Sequence, residues 1–413
     1  MNRHKFIIII SFLLIILSCT PSCLYALEYP ELNSEIVEIY DLTDEKIIYE
    51  VDSQKVTSIA SLTKIVTTIV AIENIPNLEE EVLITDDLLS TVRWDASKAG
   101  LQAGDIVTYR DLLYASMLPS GADATNSIAI LRDGSIDDFV LRMNEFVLTL
   151  GLKNTHFTNV TGLDEEGHYS TADDMRIILS YALQNELFKQ IYTTKEYTLS
   201  NGLKVESTLI KYNLFSNIDT SKILGSKTGY TGEAGYCLSS ISNINNHEFI
   251  IIVLNAKHRD NQYFNIVDTT TLIDFLLEHY QDQVLIKKGE LIQTIPVRLS
   301  KKDKYKVYTE QDITLYLPSD YEKDKIRIDY DGIDSLSFFH KKGEKLGTVS
   351  YYYDQQLIAK ETIVLKTDLP ISFQKIFQCY WYLIIGIPFM IVALILFHRK
   401  KRKRIKSKKK SKN

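Results

Sequence analysis

The 413-residue sequence predicts an α/β domain, then a small all-β domain, then a C-terminal transmembrane helix. Three observations carry that order. Strand-like runs surround an apolar run with helical spacing in the first part of the chain. Short alternating runs punctuated by turn signals fill the stretch from Val284 to Lys366. An uncharged stretch from Tyr380 to Phe397 stands before a basic terminus.

The N-terminus comes first. Arg3, His4 and Lys5 precede an apolar run from Phe6 to Leu17 that is too short for an ordinary span. This pattern predicts a secretory signal peptide over residues 1–26, cleaved after Ala26. Ile16-Leu17-Ser18-Cys19 also resembles a lipoprotein cleavage box, the alternative that leaves Cys19 lipidated.

Ile36–Tyr40 and Ile47–Val51 then read as two strands around a turn. The apolar run Ile59–Ile72 reads as a helix with Thr57 and Ser58 as caps and Ser61 in its first turn. Ser170 and Thr171, followed by Asp173 and Asp174, read as another helix cap with acids in the first turn. Tyr236–Ser239 and Phe249–Leu254 read as paired strands, and Thr269–His279 as a helix. A domain boundary is expected near Tyr280–Val284. The β domain after it contains runs such as Tyr305–Tyr308, Thr314–Leu317 and Gly347–Tyr351, and turn signals such as Asp331-Gly332.

Eighteen helical residues from Tyr380 to Phe397 give about 27 Å, close to the roughly 30 Å hydrocarbon core. Tyr380, Trp381 and Tyr382 suit one interface, and Pro388 can kink the helix without disqualifying it. The predicted span is 376–397, with a basic cytoplasmic tail over 398–413. The formal net charge of -6 hides a division: Arg399–Lys412 holds 11 of the 47 basic residues, Arg3 and Lys5 two more, and none of the 53 acids lies in those ends. The rest of the chain therefore carries -19, which argues against nucleic acid as a partner. The tail suits orientation and anionic headgroups. Of the four cysteines only Cys237 lies in the exported body, so no disulfide can form within it.

Three short stretches carry chemistry. Ser61-Leu62-Thr63-Lys64 puts a hydroxyl and an amine three residues apart, on one face if helical. A lysine held out of water beside a hydroxyl can lose its proton and serve as base to the weak serine nucleophile. Ser120-Gly121-Ala122 follows about sixty residues on, and Lys227-Thr228-Gly229 about a hundred further. Glycine at 229 permits close approach of a ligand to the backbone, and Lys227 and Thr228 suit a substrate carboxylate. Ser372-Phe373-Gln374-Lys375 and Ser407-Lys408-Lys409-Lys410 repeat the first pattern by chance at a membrane boundary and in the tail. No histidine and cysteine set has zinc-ligand spacing, and no glycine loop cradles phosphate, so neither a metal nor a cofactor is expected.

The order of these motifs resembles the penicillin-recognising serine enzymes. Among them the chain is most similar to the low-molecular-mass penicillin-binding proteins that are D-alanyl-D-alanine carboxypeptidases. Ser58–Ile65, Met117–Ala124, Gly162-Leu163-Asp164 and His168-Tyr169-Ser170-Thr171 support the likeness, which runs from about residue 27 to about residue 370. The resemblance implies a β-lactamase/transpeptidase-like domain over 27–280, an antiparallel sheet with flanking helices, and a β-rich membrane-proximal domain over 281–370. It implies Ser61 as acyl-ester nucleophile, Lys64 as proton acceptor and Ser120 as proton relay. It also implies substrate binding by Lys227, Thr228, Gly229 and the backbone amide of Tyr230, with an oxyanion hole made by the amides of Ser61 and Tyr230. Arg259 is a further candidate for a carboxylate, with a solvent-facing arginine as the alternative. The implied reaction removes terminal D-alanine from peptidoglycan stem peptides outside the cytoplasmic membrane, with β-lactams as acylating inhibitors.

One position departs from the pattern. The middle motif is usually Ser-x-Asn, but residue 122 is Ala, and Asp123 or Asn126 are the available substitutes. Two rival functions follow: a serine β-lactamase, and a non-catalytic cell-wall-binding protein of the same fold. No Glu-x-x-Leu-Asn stretch of the kind that positions a deacylating water supports the first, and intact Ser61, Lys64 and Lys227 oppose the second. His168 reads as structural.

Overall fold

The computed structural model describes residues 28–216, 218–257 and 262–410. The chain forms two compact units that divide between Gln281 and Asp282. In the first, a five-stranded antiparallel sheet is built from β1 (Ser34–Asp41), β2 (Lys46–Val51), β3 (Ile223–Thr231), β4 (Gly235–Ile244) and β5 (His247–Ala256). The strand order is β2-β1-β5-β4-β3, which makes β3 an edge. The helices used below are α1 (Thr63–Asn74), α2 (Tyr109–Met117), α3 (Ala122–Asp133), α4 (Ala172–Ala182) and α5 (Phe264–His279).

α1 is the axis of the helical layer. Every residue from Thr63 to Ala71 is buried, Thr63, Lys64, Thr67 and Thr68 included, so the helix is enclosed nearly all round rather than along one stripe. Ile65, Val66, Ile69 and Val70 join one large cluster with residues of α2, α3, α4 and the sheet. Local chemistry fixes the neighbouring helix ends. Thr108 and Asp111 form a reciprocal capping box at the head of α2. Thr171 caps α4 by accepting from the Asp174 amide, with Asp173 and Asp174 in the first turn, as the sequence predicts.

The start of α1 differs from expectation. Neither Thr57 nor Ser58 caps it: Thr57 bridges to Ser170, and the Ser58 hydroxyl reaches Glu233. Ala60 adopts a left-handed φ of 49°, and Ala60–Leu62 form a 3-10 turn before the α-helix begins. Ser61 therefore lies on a tight, strained turn and not in the first α-turn.

In the second unit β6 (Tyr280–Ile286) pairs with β9 (Ile313–Pro318), and β7 (Leu291–Arg298) pairs with β8 (Lys304–Tyr308) and β11 (Leu336–Ser337). β10 (Ile326–Gly332), β12 (Lys345–Tyr353) and β13 (Gln356–Val364) form a three-stranded antiparallel sheet. Their alternating inward residues, among them Ile295, Val297, Val349, Tyr351 and Ile363, make a separate core. The helix α6 (Phe373–Lys410) follows. Within it Phe373–Arg402 is long and apolar enough to cross a membrane, and an 18-residue stretch of it has a mean hydropathy of 2.3 and no buried residue. The predicted signal peptide and Cys19 lie outside the described residues.

Candidate active site

The Ser61 turn sits where α1, β3 and a loop from Asn159 to His168 converge. Lys64 is 2% exposed, and its Nζ stands 3.0 Å from Ser61 Oγ and 2.7 Å from the Thr161 carbonyl. The Ser61 hydroxyl also points to that carbonyl, at 3.5 Å. Burial lowers the Lys64 amine to about 7, against which the Asp123 charge pulls upward. A lysine in that state supplies a neutral amine near neutral pH, which the side chain in water does not.

β3 brings the second lysine. Because strand residues alternate, Lys227 and Gly229 share one face and Thr228 takes the other. A Cβ on Gly229 would stand 2.9 Å from the Ala60 Cβ and 3.0 Å from the Ser61 amide nitrogen, so that face abuts the serine turn. Lys227 is 1% exposed, and its Nζ donates to the Thr228 carbonyl at 2.9 Å. Burial and the Lys64 charge push its amine well below the usual lysine range. The Thr228 hydroxyl bonds Thr208 at 2.6 Å, and the Tyr230 side chain is exposed.

Ser120 comes from the turn before α3. Its φ is 62°, it is buried, and its Oγ has no hydrogen-bond partner among the described residues. A strained backbone and an unsatisfied hydroxyl are features that concentrate at functional sites.

Residues 25–258 match the family described as D-alanyl-D-alanine carboxypeptidase. The chain belongs to that family. Residues 280–370 match the penicillin-binding protein 5, C-terminal domain family. The D-alanyl-D-alanine carboxypeptidase DacF of Bacillus subtilis is 30% identical over 78% of this chain and 82% of its own length. DacA of Escherichia coli is 27% identical over 86% of this chain and 90% of its own. The fold is shared with penicillin-binding protein 5 from Haemophilus influenzae at a TM-score of 0.60 and 24% identity, covering 84% of this chain and all of that one. This D-alanyl-D-alanine carboxypeptidase family member is thus a serine-type peptidase.

The structure corrects one expectation about this carboxypeptidase. Neither Asp123 nor Asn126 replaces the amide missing at Ala122. The Asp123 carboxylate accepts from the amides of Ala99, Gly100 and Leu101 at 2.8–3.1 Å, and the Asn126 amide donates to Thr91. Ala122 instead borders a cavity of about 170 Å³ shared with Asn126, Asn159, Thr161, Arg93 and Glu165. Arg259 lies outside the described residues.

Sequence reasoning missed the loop that meets Lys64. Asn159 Oδ1 accepts from the Thr161 and Gly162 amides, and its Nδ2 donates to the Leu163 carbonyl and Glu165. Gly162 has a φ of 83°, and a Cβ there would fall 1.9 Å from the Ala60 carbonyl. The Gly162-Leu163-Asp164 stretch was the available signal. It marks a turn, but the group that meets Lys64 is a backbone carbonyl. As for metals, among the described residues Asp41, Asp44 and His247 gather donor atoms within 4.8 Å where β1 ends and β5 begins. Asp41 and His247 bond each other at 2.7 Å.

Proposed function

We propose that this chain is a membrane-anchored serine carboxypeptidase that removes the terminal D-alanine from peptidoglycan stem peptides and is acylated by β-lactams. The observation that carries the reading is the buried Lys64 amine, 3.0 Å from Ser61 Oγ and lowered to about 7.

In the proposed reaction the neutral Lys64 amine takes the Ser61 proton as Oγ attacks the penultimate D-alanine carbonyl. The resulting oxyanion lies between the backbone amides of Ser61 and Tyr230; one such donor typically contributes roughly 3 to 4 kcal/mol to the transition state. Ser120 passes a proton to the departing nitrogen, and free D-alanine leaves an ester on Ser61. Lys227 and Thr228 hold the terminal carboxylate, with Gly229 leaving room for the substrate backbone. Water, activated by the same Lys64 amine, then cleaves the ester and restores the serine.

The domain roles belong to this proposal too: a signal peptide over 1–26, a catalytic domain over 27–280, a β-rich domain over 281–370, a span over 376–397 and a cytoplasmic tail over 398–413. The basic tail supports an extracytoplasmic body through the positive-inside rule.

The test is incubation of the purified chain with a diacetylated Lys-D-Ala-D-Ala peptide beside a Ser61→Ala control. Release of D-alanine that vanishes in the control is expected. Many-turnover hydrolysis of a chromogenic cephalosporin would favour a β-lactamase, and peptide binding without turnover, unchanged by Ser61→Ala, a wall-binding protein.

A further inference from the structure

We propose that the β-rich unit lies against an anionic lipid bilayer through a lysine collar around the base of α6, with Phe339 as its apolar anchor. The inference rests on reading Phe373–Arg402 as a membrane span.

The collar is assembled by hydrogen bonds to the segment leading into α6. The turn at residues 299–303 is tied to it by Lys301 N to the Pro370 carbonyl, Ser372 N to the Leu299 carbonyl, and the Ser300 hydroxyl to Pro370. The turn at 341–344 is tied by Gly343 N to the Leu365 carbonyl, Leu365 N to the Glu344 carbonyl, and Lys342 N to Asp368. Lys366 N donates to the Tyr305 hydroxyl. Three separate stretches of sequence thus meet just before the helix begins.

Their charge is one-sided. Residues 299–306, 336–346 and 365–375 hold nine lysines and three acids. Each acid is already engaged: Asp303 by Lys375 at 2.6 Å, Asp368 by the Lys342 amide and Glu344 by the Lys341 amide. Lys366 pairs with Glu310, and the other seven lysines are exposed with no ion pair among the described residues. Residues 307–335, in contrast, hold eight acids and three bases. Between Asp282 and Lys375 the lysine excess is gathered on the turns beside the helix.

Height and apolarity fit a membrane surface. The turns are tied to Leu365–Ser372, and the uncharged run of α6 begins at Ile376, after Phe373, Gln374 and Lys375. Three helical residues rise about 4.5 Å, within the headgroup layer flanking a roughly 30 Å core. Phe339 is 69% exposed and Phe373 75% exposed. The Phe338 and Phe339 rings pack 4.0 Å apart, two residues before Lys341. Exposed aromatics beside lysines are the composition that settles at an anionic interface, where basic side chains meet lipid phosphates and rings enter the acyl boundary.

The test uses the full chain reconstituted in vesicles of phosphatidylcholine alone or mixed with phosphatidylglycerol. Phe339→Trp is placed in a background of Trp94→Phe and Trp381→Phe, and quenching by acyl-brominated lipid is read. Stronger quenching in anionic vesicles is expected, at least twofold over phosphatidylcholine. High salt and the triple change Lys301→Ser, Lys341→Ser, Lys342→Ser should each abolish the difference, with the unfolding midpoint unchanged. Protein that stays with both vesicle types while its introduced indole is unquenched overturns the collar and leaves the span standing. Equal quenching in both lipids, indifferent to the lysine changes, overturns it as well. Protein recovered from neither vesicle type after alkaline washing overturns the collar together with the span.

Discussion

His168 Nε2 lies 2.8 Å from Thr63 Oγ1, and that hydroxyl lies 2.9 Å from the carbonyl of Ala60, the left-handed residue before Ser61. The Thr158 amide donates to His168 Nδ1 at 3.2 Å, so the ring hydrogen sits on Nε2 and points at Thr63. A neutral imidazole thus braces the turn that carries Ser61 through one hydroxyl. His168→Gln, which keeps a donor near that place, is expected to retain most activity. His168→Leu should lose up to about tenfold, the worth of one hydrogen bond, in D-alanine release.

The same histidine makes stability depend on pH. Burial lowers it to about 4, with Glu165 and Asp164 pulling upward and His156 and Lys64 downward. An unfolded histidine takes up its proton below about 6.5, so between 6.5 and 4 the unfolded chain binds more protons and the fold loses stability as pH falls. The full loss is about 3 kcal/mol. Urea midpoints measured across that window should fall less steeply in His168→Gln than in the parent chain. Equal slopes would remove His168 from the account.

The rate of acylation by penicillin should rise with pH through an apparent pKa near 7, following loss of the Lys64 proton. Lys64→Met should lower the rate by roughly 10² to 10⁴, the span of general-base contributions. Asp123→Asn removes a charge that raises the amine, so the rising limb should move to lower pH. A limb that moves upward would contradict the assignment of that limb to Lys64.

Gly229→Ala would insert a methyl 3.0 Å from the Ser61 amide nitrogen and 3.2 Å from the Ile59 carbonyl. The strand or the serine turn has to shift, and the Ser61 amide is one of the two donors proposed for the oxyanion. The expected loss in kcat is roughly 10² to 10³, with a stability cost of about 1 to 3 kcal/mol. Stopped-flow acylation alongside thermal melts separates the two effects.

Ala122→Asn places an amide on the wall of the 170 Å³ cavity, where Asp123 and Asn126 are already bonded to other partners. The change should be tolerated by the fold and should raise carboxypeptidase turnover up to about tenfold through one added hydrogen bond. Turnover that falls, in a variant with an unchanged melting temperature, would mean that the open cavity serves this chain better than the amide does.

Much of this site was legible because its chemistry lies in side chains at short spacing. Ser61 and Lys64 are three residues apart, and the strand bearing Lys227, Thr228 and Gly229 precedes two others with plain alternation. The left-handed Ala60 was not legible, since alanine gives no sign of such a φ and the apolar run argued for an unbroken helix. Thr161 was hidden for a different reason. Its contribution is a carbonyl oxygen, which every residue has, delivered from 97 positions away by Asn159 and Gly162. Asp123 misled because an acid near a missing amide looks like a substitute, whereas three backbone amides already occupy it.

β3 is an edge strand of its sheet, and one of its faces abuts the serine turn. The edge of a strand offers backbone groups to a partner with the same repeat, namely an extended peptide. Recognition along such an edge reads backbone direction and length ahead of side-chain identity. On the proposed reading a helical ligand would forfeit that ladder, however well its terminal carboxylate suited Lys227 and Thr228.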